Sequence, residues 1–173
     1  RLAGKDVLVV GGRFDSEGAQ ADFGHIAMWD DGEWVPVGGG VDGFVDDIEI
    51  FDVGSGPAMY VAALAEPDLG GPRGPVVRWD GTRWQQVGAD PGVRAPDLFV
   101  FEGPQGRAMH ARASAFEPAV RWDGSTWQET PFIGAAFFPT RVDGEPVLIT
   151  IGGLATIVVW NSAGEATLPE NGV

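Results

Sequence analysis

The stretch Val77-Arg-Trp-Asp-Gly-Thr-Arg-Trp84 decides the fold, because the chain contains related stretches at three other points. In each full copy an apolar strand end runs into a turn with Asp and Gly, and a second Trp opens the next strand. This pattern predicts a β-hairpin. The other copies are Ala27-Met-Trp-Asp-Asp-Gly-Glu-Trp34, Val120-Arg-Trp-Asp-Gly-Ser-Thr-Trp127 and the shortened Val158-Val-Trp-Asn161.

The spacing of the copies indicates a repeat protein. Trp29, Trp79, Trp122 and Trp160 follow one another at intervals of 50, 43 and 38 residues. A second motif, Phe51-x4-Gly56-x-Ala58-Met59, returns 50 residues later as Phe101-x4-Gly106-x-Ala108-Met109. Two independent motifs at one spacing indicate structural repeats. The repeat units have approximate bounds of 1–43, 44–92, 93–132 and 133–173.

Each unit is predicted to contain four short strands, except the first, where only three are recognisable. Residues 47–51 alternate apolar and polar side chains, and residues 58–64 are apolar throughout, which is typical of a strand covered on both faces. No window combines a 3.6-residue apolar period with helix caps, so we expect essentially no helix. The predicted strands are 7–10, 26–29, 34–37, 47–51, 58–64, 75–79, 84–87, 98–101, 108–113, 119–122, 127–129, 137–142, 147–151, 156–160 and 165–168.

Repeated units of this kind predict an all-β fold, a β-propeller-like array of about four four-stranded antiparallel blades with an incomplete first blade. The chain forms a single propeller domain or a propeller fragment on this interpretation. Large Trp rings would fill the wedges between blades, and the turn Asp would accept hydrogen bonds from backbone N–H groups. The repeat positions concerned are Trp29, Trp34, Trp79, Trp84, Trp122, Trp127, Trp160, Asp30, Asp80 and Asp123.

The missing strand of the first unit leaves three interpretations of the array. A propeller removes its exposed sheet edges by joining strands from both chain ends in one blade. The 173 residues are therefore a piece of a longer chain, or two chains complete one ring, or four blades close imperfectly. We favour the first interpretation, which also suits a chain that opens on Arg1 rather than Met.

The segments Val7-Leu-Val-Val-Gly-Gly12 and Ile26-Ala-Met-Trp-Asp30, followed by Trp34, resemble the kelch repeat. In that repeat an apolar strand and a Gly pair precede an aromatic–Asp pair and a Trp. The chain departs from it where Ala62 and Ala63 replace the Gly pair. The closer similarity is to kelch-like Trp-Asp-Gly propeller repeats of large secreted bacterial proteins and of fungal cell-polarity surface markers. This resemblance implies a propeller, an extracellular or cell-surface location and a binding or scaffolding role, without a particular ligand.

Composition narrows the classes of partner. The net charge of −14 disfavours nucleic acid and anionic membrane surfaces, which attract Lys and Arg. No apolar run reaches the ~20 residues of a membrane-spanning helix, so we expect no membrane insertion. The absence of Cys removes disulfides, thiolate nucleophiles and Cys-based zinc sites.

No residue pattern predicts a catalytic, cofactor or metal site. Calcium at the turn carboxylates, or at the acidic cluster, is a weaker alternative to turn capping, because the carboxylates are not expected to converge. His25 and His110 occupy non-equivalent repeat positions and are expected to be packed side chains. A sugar site would use loop aromatics rather than the repeated Trp. The acidic cluster is Asp42, Asp46, Asp47 and Glu49, and the loop aromatics are Phe14, Phe23 and Phe132.

The sequence therefore predicts a non-catalytic binding or structural scaffold module that acts through propeller loops or blade edges. The expected partner is another protein or a second copy of the chain. A carbohydrate-binding propeller lectin, with glycans as partners, is the alternative, and a propeller glycoside hydrolase comes third. Loops that differ in length from unit to unit favour the scaffold, since a multivalent lectin would repeat its sites.

Overall fold

The computed structural model describes residues 6–14, 23–64, 76–89, 97–112, 116–152 and 157–167. These residues form strands and turns, without a helix, so the prediction of an all-β fold is confirmed. The chain divides into two compact units, Arg1–Asp97 and Leu98–Val173. Nowhere in the described ranges is there a helix that could cross a membrane.

The first unit contains two antiparallel sheets. Each sheet is a meander, in which every strand pairs with the next one along the chain, in the orders β1-β2-β3 and β4-β5-β6-β7. The strands are β1 (Leu8–Gly11), β2 (Ile26–Asp30), β3 (Glu33–Pro36), β4 (Phe44–Asp52), β5 (Pro57–Leu64), β6 (Val76–Trp79) and β7 (Trp84–Gln86).

The second unit contains two four-stranded meanders, β8-β9-β10-β11 and β12-β13-β14-β15. The first residue of β8 is the last residue of the first unit. The strands are β8 (Asp97–Gly103), β9 (Gly106–Arg112), β10 (Val120–Trp122), β11 (Trp127–Glu129), β12 (Ala136–Val142), β13 (Glu145–Ile151), β14 (Ile157–Asn161) and β15 (Ala166–Thr167).

Each sheet falls within one of the four repeat units recognised in the sequence, and the observed strands lie where strands were predicted. The bounds differ most at β4, which begins at Phe44 rather than at residue 47. A tight hairpin turn also lets pairing continue to the chain reversal. β12 and β13 pair as far as Val142 and Glu145, because Asp143 and Gly144 adopt φ of 51° and 86°, as a two-residue hairpin turn requires. The predicted strand residues Pro75, Ala113, Thr156 and Leu168 lie outside the described residues.

Each of the two compact units has its own hydrophobic core. In the first unit the core lies between the two sheets, and Gly11 of β1 approaches β4 so closely that a Cβ there would overlap Val45. Packing two apolar sheet faces removes both from water, which neither sheet could achieve alone. The buried core residues are Ile26, Val37, Val41, Val45, Met59, Val61, Ala63 and Val77 in the first unit. In the second unit they are Phe99, Phe101, Ala119, Phe132 and Leu148.

Candidate functional site

The three full copies of the hairpin motif place their two Trp directly opposite each other on adjacent strands. The ring centroids lie 5.2 Å apart in every pair, with interplanar angles between 50° and 70°. This spacing is typical of favourable aromatic contacts. The pairs are Trp29 with Trp34, Trp79 with Trp84, and Trp122 with Trp127.

Two of the turn aspartates bind backbone N–H groups as predicted. Asp80 Oδ1 accepts hydrogen bonds from the N–H groups of Thr82 and Arg83 at 2.9 and 3.0 Å. Asp123 Oδ1 accepts from those of Ser125 and Thr126 at 2.8 and 2.7 Å. The Thr82 hydroxyl, which also donates to Asp80 Oδ1 at 2.8 Å, and these backbone bonds favour the ionised carboxylate and lower the pKa of Asp80 to about 2. The bonds from Thr126 and Ser125 hold the pKa of Asp123 well below its usual range. The two carboxylates therefore act as hydrogen-bond acceptors within their own hairpin turns.

The prediction for Asp30 is wrong. Among the described residues its carboxylate makes no hydrogen bond of this kind. The turn is formed instead by Asp31 and Gly32, which adopt φ of 46° and 97° and so give a two-residue reversal without a side-chain acceptor. In the shortened fourth copy, Asn161 is the acceptor. Its Oδ1 accepts hydrogen bonds from the N–H groups of Ala163 and Glu165 at 3.0 and 2.9 Å.

The pair in the β6–β7 hairpin holds the two sheets of the first unit together. Trp84 Nε1 donates a hydrogen bond of 2.9 Å to the carbonyl oxygen of Val37, just after β3. The ring of Trp79 lies on Gly38, where an added Cβ would overlap it. Both rings also pack against the core of the unit. For this pair the structure shows the inter-sheet role that the sequence suggested.

The equivalent pair in the β2–β3 hairpin is exposed, which corrects the expectation that all six paired Trp fill gaps between sheets. Trp29 and Trp34 are 42% and 38% exposed. Leu8 lies opposite Trp29, and Trp29 opposite Trp34, so the three side chains form a row across the sheet. Val10, two residues along β1, is also exposed and points to the same side. We call Leu8, Val10, Trp29 and Trp34 the Trp29 face.

The last sheet of the second unit has a comparable apolar face. Phe138, Val142 and Ile157 are 50%, 52% and 45% exposed. The register places Phe138 opposite Ile149, and Ile149 opposite Val159, on the same side of the sheet. We call Phe138, Val142 and Ile157, with the half-buried Ile149 and Val159, the Phe138 face. Exposed apolar side chains grouped on one side of a sheet are candidates for an interaction surface.

Trp160, the single Trp of the fourth copy, belongs to the core of the second unit. Its Nε1 donates to the hydroxyl of the fully buried Thr150 at 3.1 Å, and its ring meets Phe132 edge-on at 5.2 Å. Phe132 is itself 2% exposed, so it is not the exposed sugar-stacking ring considered from the sequence. Phe14 and Phe23 are half-buried.

A cavity of about 90 Å³ lies in the second unit, beside the β8–β9 turn and the β14–β15 turn. Its walls include Pro104 and Gln105 from the first of these turns, and His110, Arg121 and Gln128 from three adjacent strands. The register pairs His110 with Arg121 and Arg121 with Gln128, so these three side chains form one polar row across the sheet.

His110 is buried within an aromatic cluster. It is 1% exposed, stacks on Phe99 with centroids 5.0 Å apart, and lies 5.8 Å from Phe132. Burial lowers its pKa to about 4 because the charged form loses its hydration. The imidazole is therefore neutral at pH 7. Its Nδ1 lies 3.1 Å from the carbonyl oxygen of Ala108, and only a protonated Nδ1 can donate there, so Nε2 is an acceptor.

The acidic cluster considered from the sequence does not converge on one point. Asp46 lies where the β4–β5 register shifts, and burial together with the nearby Asp97 raises its pKa. Asp42 is buried at 1% exposure. In the described ranges no three His, Cys, Asp or Glu side chains are close enough together to hold a metal ion.

The polar row and its cavity are the features that sequence reasoning missed. The signal was present: Arg78 and Gln85 recur as Arg121 and Gln128, while Tyr60 in the equivalent position becomes His110. Comparing the repeats position by position, rather than seeking known motifs, would have singled out that replacement.

A search against models of known families, curated proteins and solved structures finds no match to this chain.

Proposed function

We propose that this chain is a non-catalytic binding and scaffold module, built as a β-propeller-like array of repeated sheets, that self-associates through its exposed sheet faces. The observation that carries the proposal is the exposure of the Trp29 face. Its two Trp occupy the same repeat positions as Trp79 and Trp84, which hold one sheet against another in the first unit. The same residues at the same spacing favour the same kind of contact.

The occupant we propose for the Trp29 face is an apolar sheet face of a second copy of the chain, and the Phe138 face has the matching character. Both faces consist of exposed or half-buried aliphatic and aromatic side chains, whose burial against each other would be driven by the hydrophobic effect. A contact between two different faces is heterologous, so it either closes a ring or extends a chain of copies. The same contact would complete a propeller-like array.

A non-catalytic role is supported by the surroundings of the two histidines. Both are buried, and each has Nδ1 within hydrogen-bonding distance of a backbone carbonyl, that of Phe14 for His25 and that of Ala108 for His110. In a Ser–His–Asp triad that nitrogen donates to a carboxylate, which orients the base. The resemblance to secreted repeats supports an extracellular or cell-surface location. Detection of the protein at the surface of the cells that produce it would test that location.

The solution mass of the 173-residue chain, measured by light scattering behind a sizing column, tests self-association. We expect oligomers whose mass rises with concentration. The double substitution Trp29→Ser with Trp34→Ser should shift the protein to monomer, because it removes the two largest apolar side chains of the face while leaving the sheet's backbone pairing intact.

The matched control is Phe116→Ser, which removes an aromatic ring that is 83% exposed and lies outside both faces. It should leave the mass unchanged. A wild-type chain that is monomeric across the accessible concentration range would contradict self-association. So would a double variant that keeps its oligomeric mass.

A further inference from the structure

The polar row of the third sheet, which contains β8 to β11, differs from its counterpart in the second sheet, which contains β4 to β7, at one position. In the second sheet the row is Tyr60, Arg78 and Gln85, joined by the same strand register. There the Tyr60 hydroxyl lies close enough to Arg78 for the two side chains to interact. In the third sheet the shorter His110 replaces the tyrosine, Arg121 and Gln128 are retained, and the row borders the cavity of about 90 Å³.

The replacement leaves complementary groups at the cavity wall. Within the described residues the His110 ring makes one hydrogen bond, through Nδ1, so the acceptor Nε2 is left for a ligand. Arg121 uses Nη2 to donate to the carbonyl oxygen of Gln105 at 2.9 Å, which leaves other guanidinium donors. One hydroxyl group can donate to Nε2 and accept from Arg121 at once, as neither a carbonyl nor an ammonium group can.

Other residues of the cavity wall indicate the chemical character of the rest of the ligand. Gln105 and Gln128 are exposed at the rim, and Gln128 Nε2 already donates to Thr126, which leaves its amide oxygen as an acceptor. Pro104, Pro131 and the buried Phe132 supply apolar surface. A polar edge facing apolar walls suits a molecule with several hydroxyl groups on a C–H framework. The small volume suits one terminal unit rather than an enclosed chain.

We propose that this cavity binds a neutral polyhydroxylated ligand, a sugar end or a small polyol, through one hydroxyl group that bridges His110 Nε2 and Arg121. The bound hydroxyl takes the part that the Tyr60 hydroxyl plays in the second sheet. The inference is independent of self-association through the Trp29 face, because the cavity lies within the second unit and none of its lining residues belongs to that face.

The test is a titration of the 173-residue protein with glycerol, methyl α-mannoside, methyl β-galactoside and methyl β-glucoside, followed through the imidazole nitrogen signals in NMR spectra. The chain has two histidines, so His25 in the first unit is an internal control. We expect at least one of these probes to shift the His110 Nε2 signal, with a dissociation constant in the millimolar range, and to leave His25 unchanged.

Two substitutions and one control substitution test where the ligand binds. Arg121→Gln removes the charged donor and should weaken binding about tenfold, whereas Arg141→Gln, an exposed arginine of the same unit outside the cavity, should leave it unchanged. His110→Tyr recreates the row of the second sheet and fills the cavity, so it should abolish binding. Because Arg121 is only half-buried, its variant tests the site even if the tyrosine variant folds poorly.

The proposal is overturned if none of the four probes moves the His110 signal at concentrations up to about 100 mM, a range that covers millimolar affinities. It is also overturned if Arg121→Gln and Arg141→Gln bind equally well. A response of His110 to formate or acetate but to none of the four hydroxylated probes would overturn the proposal and show that the cavity is an anion site.

Discussion

The ring of Trp79 lies directly on the backbone of Gly38, with no room for a Cβ at that residue. Gly38 follows the third strand of the first sheet and Trp79 ends the third strand of the second, so the contact joins two sheets. A side chain at residue 38 would push the ring away, and with it Trp84, whose Nε1 donates to the neighbouring carbonyl of Val37. The sheet packing of the first unit therefore depends on a glycine in one repeat and a tryptophan in the next.

Gly38→Ala should lower the free energy of unfolding by about 2–4 kcal/mol, because overpacking adds to the strain of a residue with positive φ. The matched control is Gly39→Ala: Gly39 has φ of 80°, against 59° for Gly38, and no atom lies within 4 Å of its added Cβ. The control should lose about 1 kcal/mol from strain alone. Urea denaturation measures both, and equal losses would show that the Trp79 contact contributes nothing.

Trp79→Ala should lower the free energy of unfolding by roughly 3–5 kcal/mol, as expected for removal of a large packed ring. Trp29→Ala changes the equivalent repeat position, but its ring is 42% exposed, and the loss should be below about 1.5 kcal/mol. The comparison is made by denaturation at a protein concentration where the chain is monomeric. A loss below about 1 kcal/mol for Trp79→Ala would contradict the inter-sheet role of this ring.

His110 should make the fold less stable as the pH falls from about 6.5 toward 4. Its pKa is about 4 in the folded chain against 6.5 for an unperturbed histidine, so the unfolded chain takes up the proton first. The stabilisation is complete above pH 6.5 and declines below it, by about 3 kcal/mol in total. Urea denaturation across this range should show the decline in the wild type and a flatter curve in His110→Gln. Parallel curves would mean that another group causes the decline.

The turn aspartates act in a lower pH range. Their folded-state pKa values lie below the ordinary 3.8, so the stabilisation is present above that pH and is lost as the pH falls toward the folded values. Asp123→Ala should lower the melting temperature at pH 7 by a few degrees, because four donors lose their acceptor. Asp30→Ala, at the equivalent repeat position, should change it little. If the two variants melt alike, the Asp123 hydrogen bonds do not stabilise the turn.

Most of the strand arrangement could be predicted because it depends on near neighbours in the sequence. An Asp-Gly turn between two apolar stretches favours a hairpin wherever it occurs, and the repeat period groups the hairpins into sheets. The hydrogen bonds of Asp80 and Asp123 are local for the same reason. The prediction for Asp30 was wrong because a second Asp places the Asp-Gly pair one position later between the two Trp. Asp30 then pairs with Glu33 and the reversal is made by Asp31 and Gly32.

The candidate sites could not be predicted because they depend on what each sheet packs against. Trp29 and Trp79 occupy equivalent positions of the hairpin motif, yet one is exposed and the other covers Gly38, since exposure depends on the neighbouring sheet rather than on the hairpin. His110 gave no motif, and its acceptor Nε2 follows from the hydrogen bond to Ala108 and from burial against Phe99.

By itself the sequence determined an all-β chain of repeated meanders with paired tryptophans, because strands and tight turns follow from local patterns of apolar residues, Asp and Gly. The tertiary structure alone decided which tryptophan pair is covered, which apolar faces are exposed and where a polar row borders a cavity. Those outcomes depend on contacts between residues far apart in the chain, such as Trp84 with Val37, and no local pattern specifies which distant surface a strand will meet.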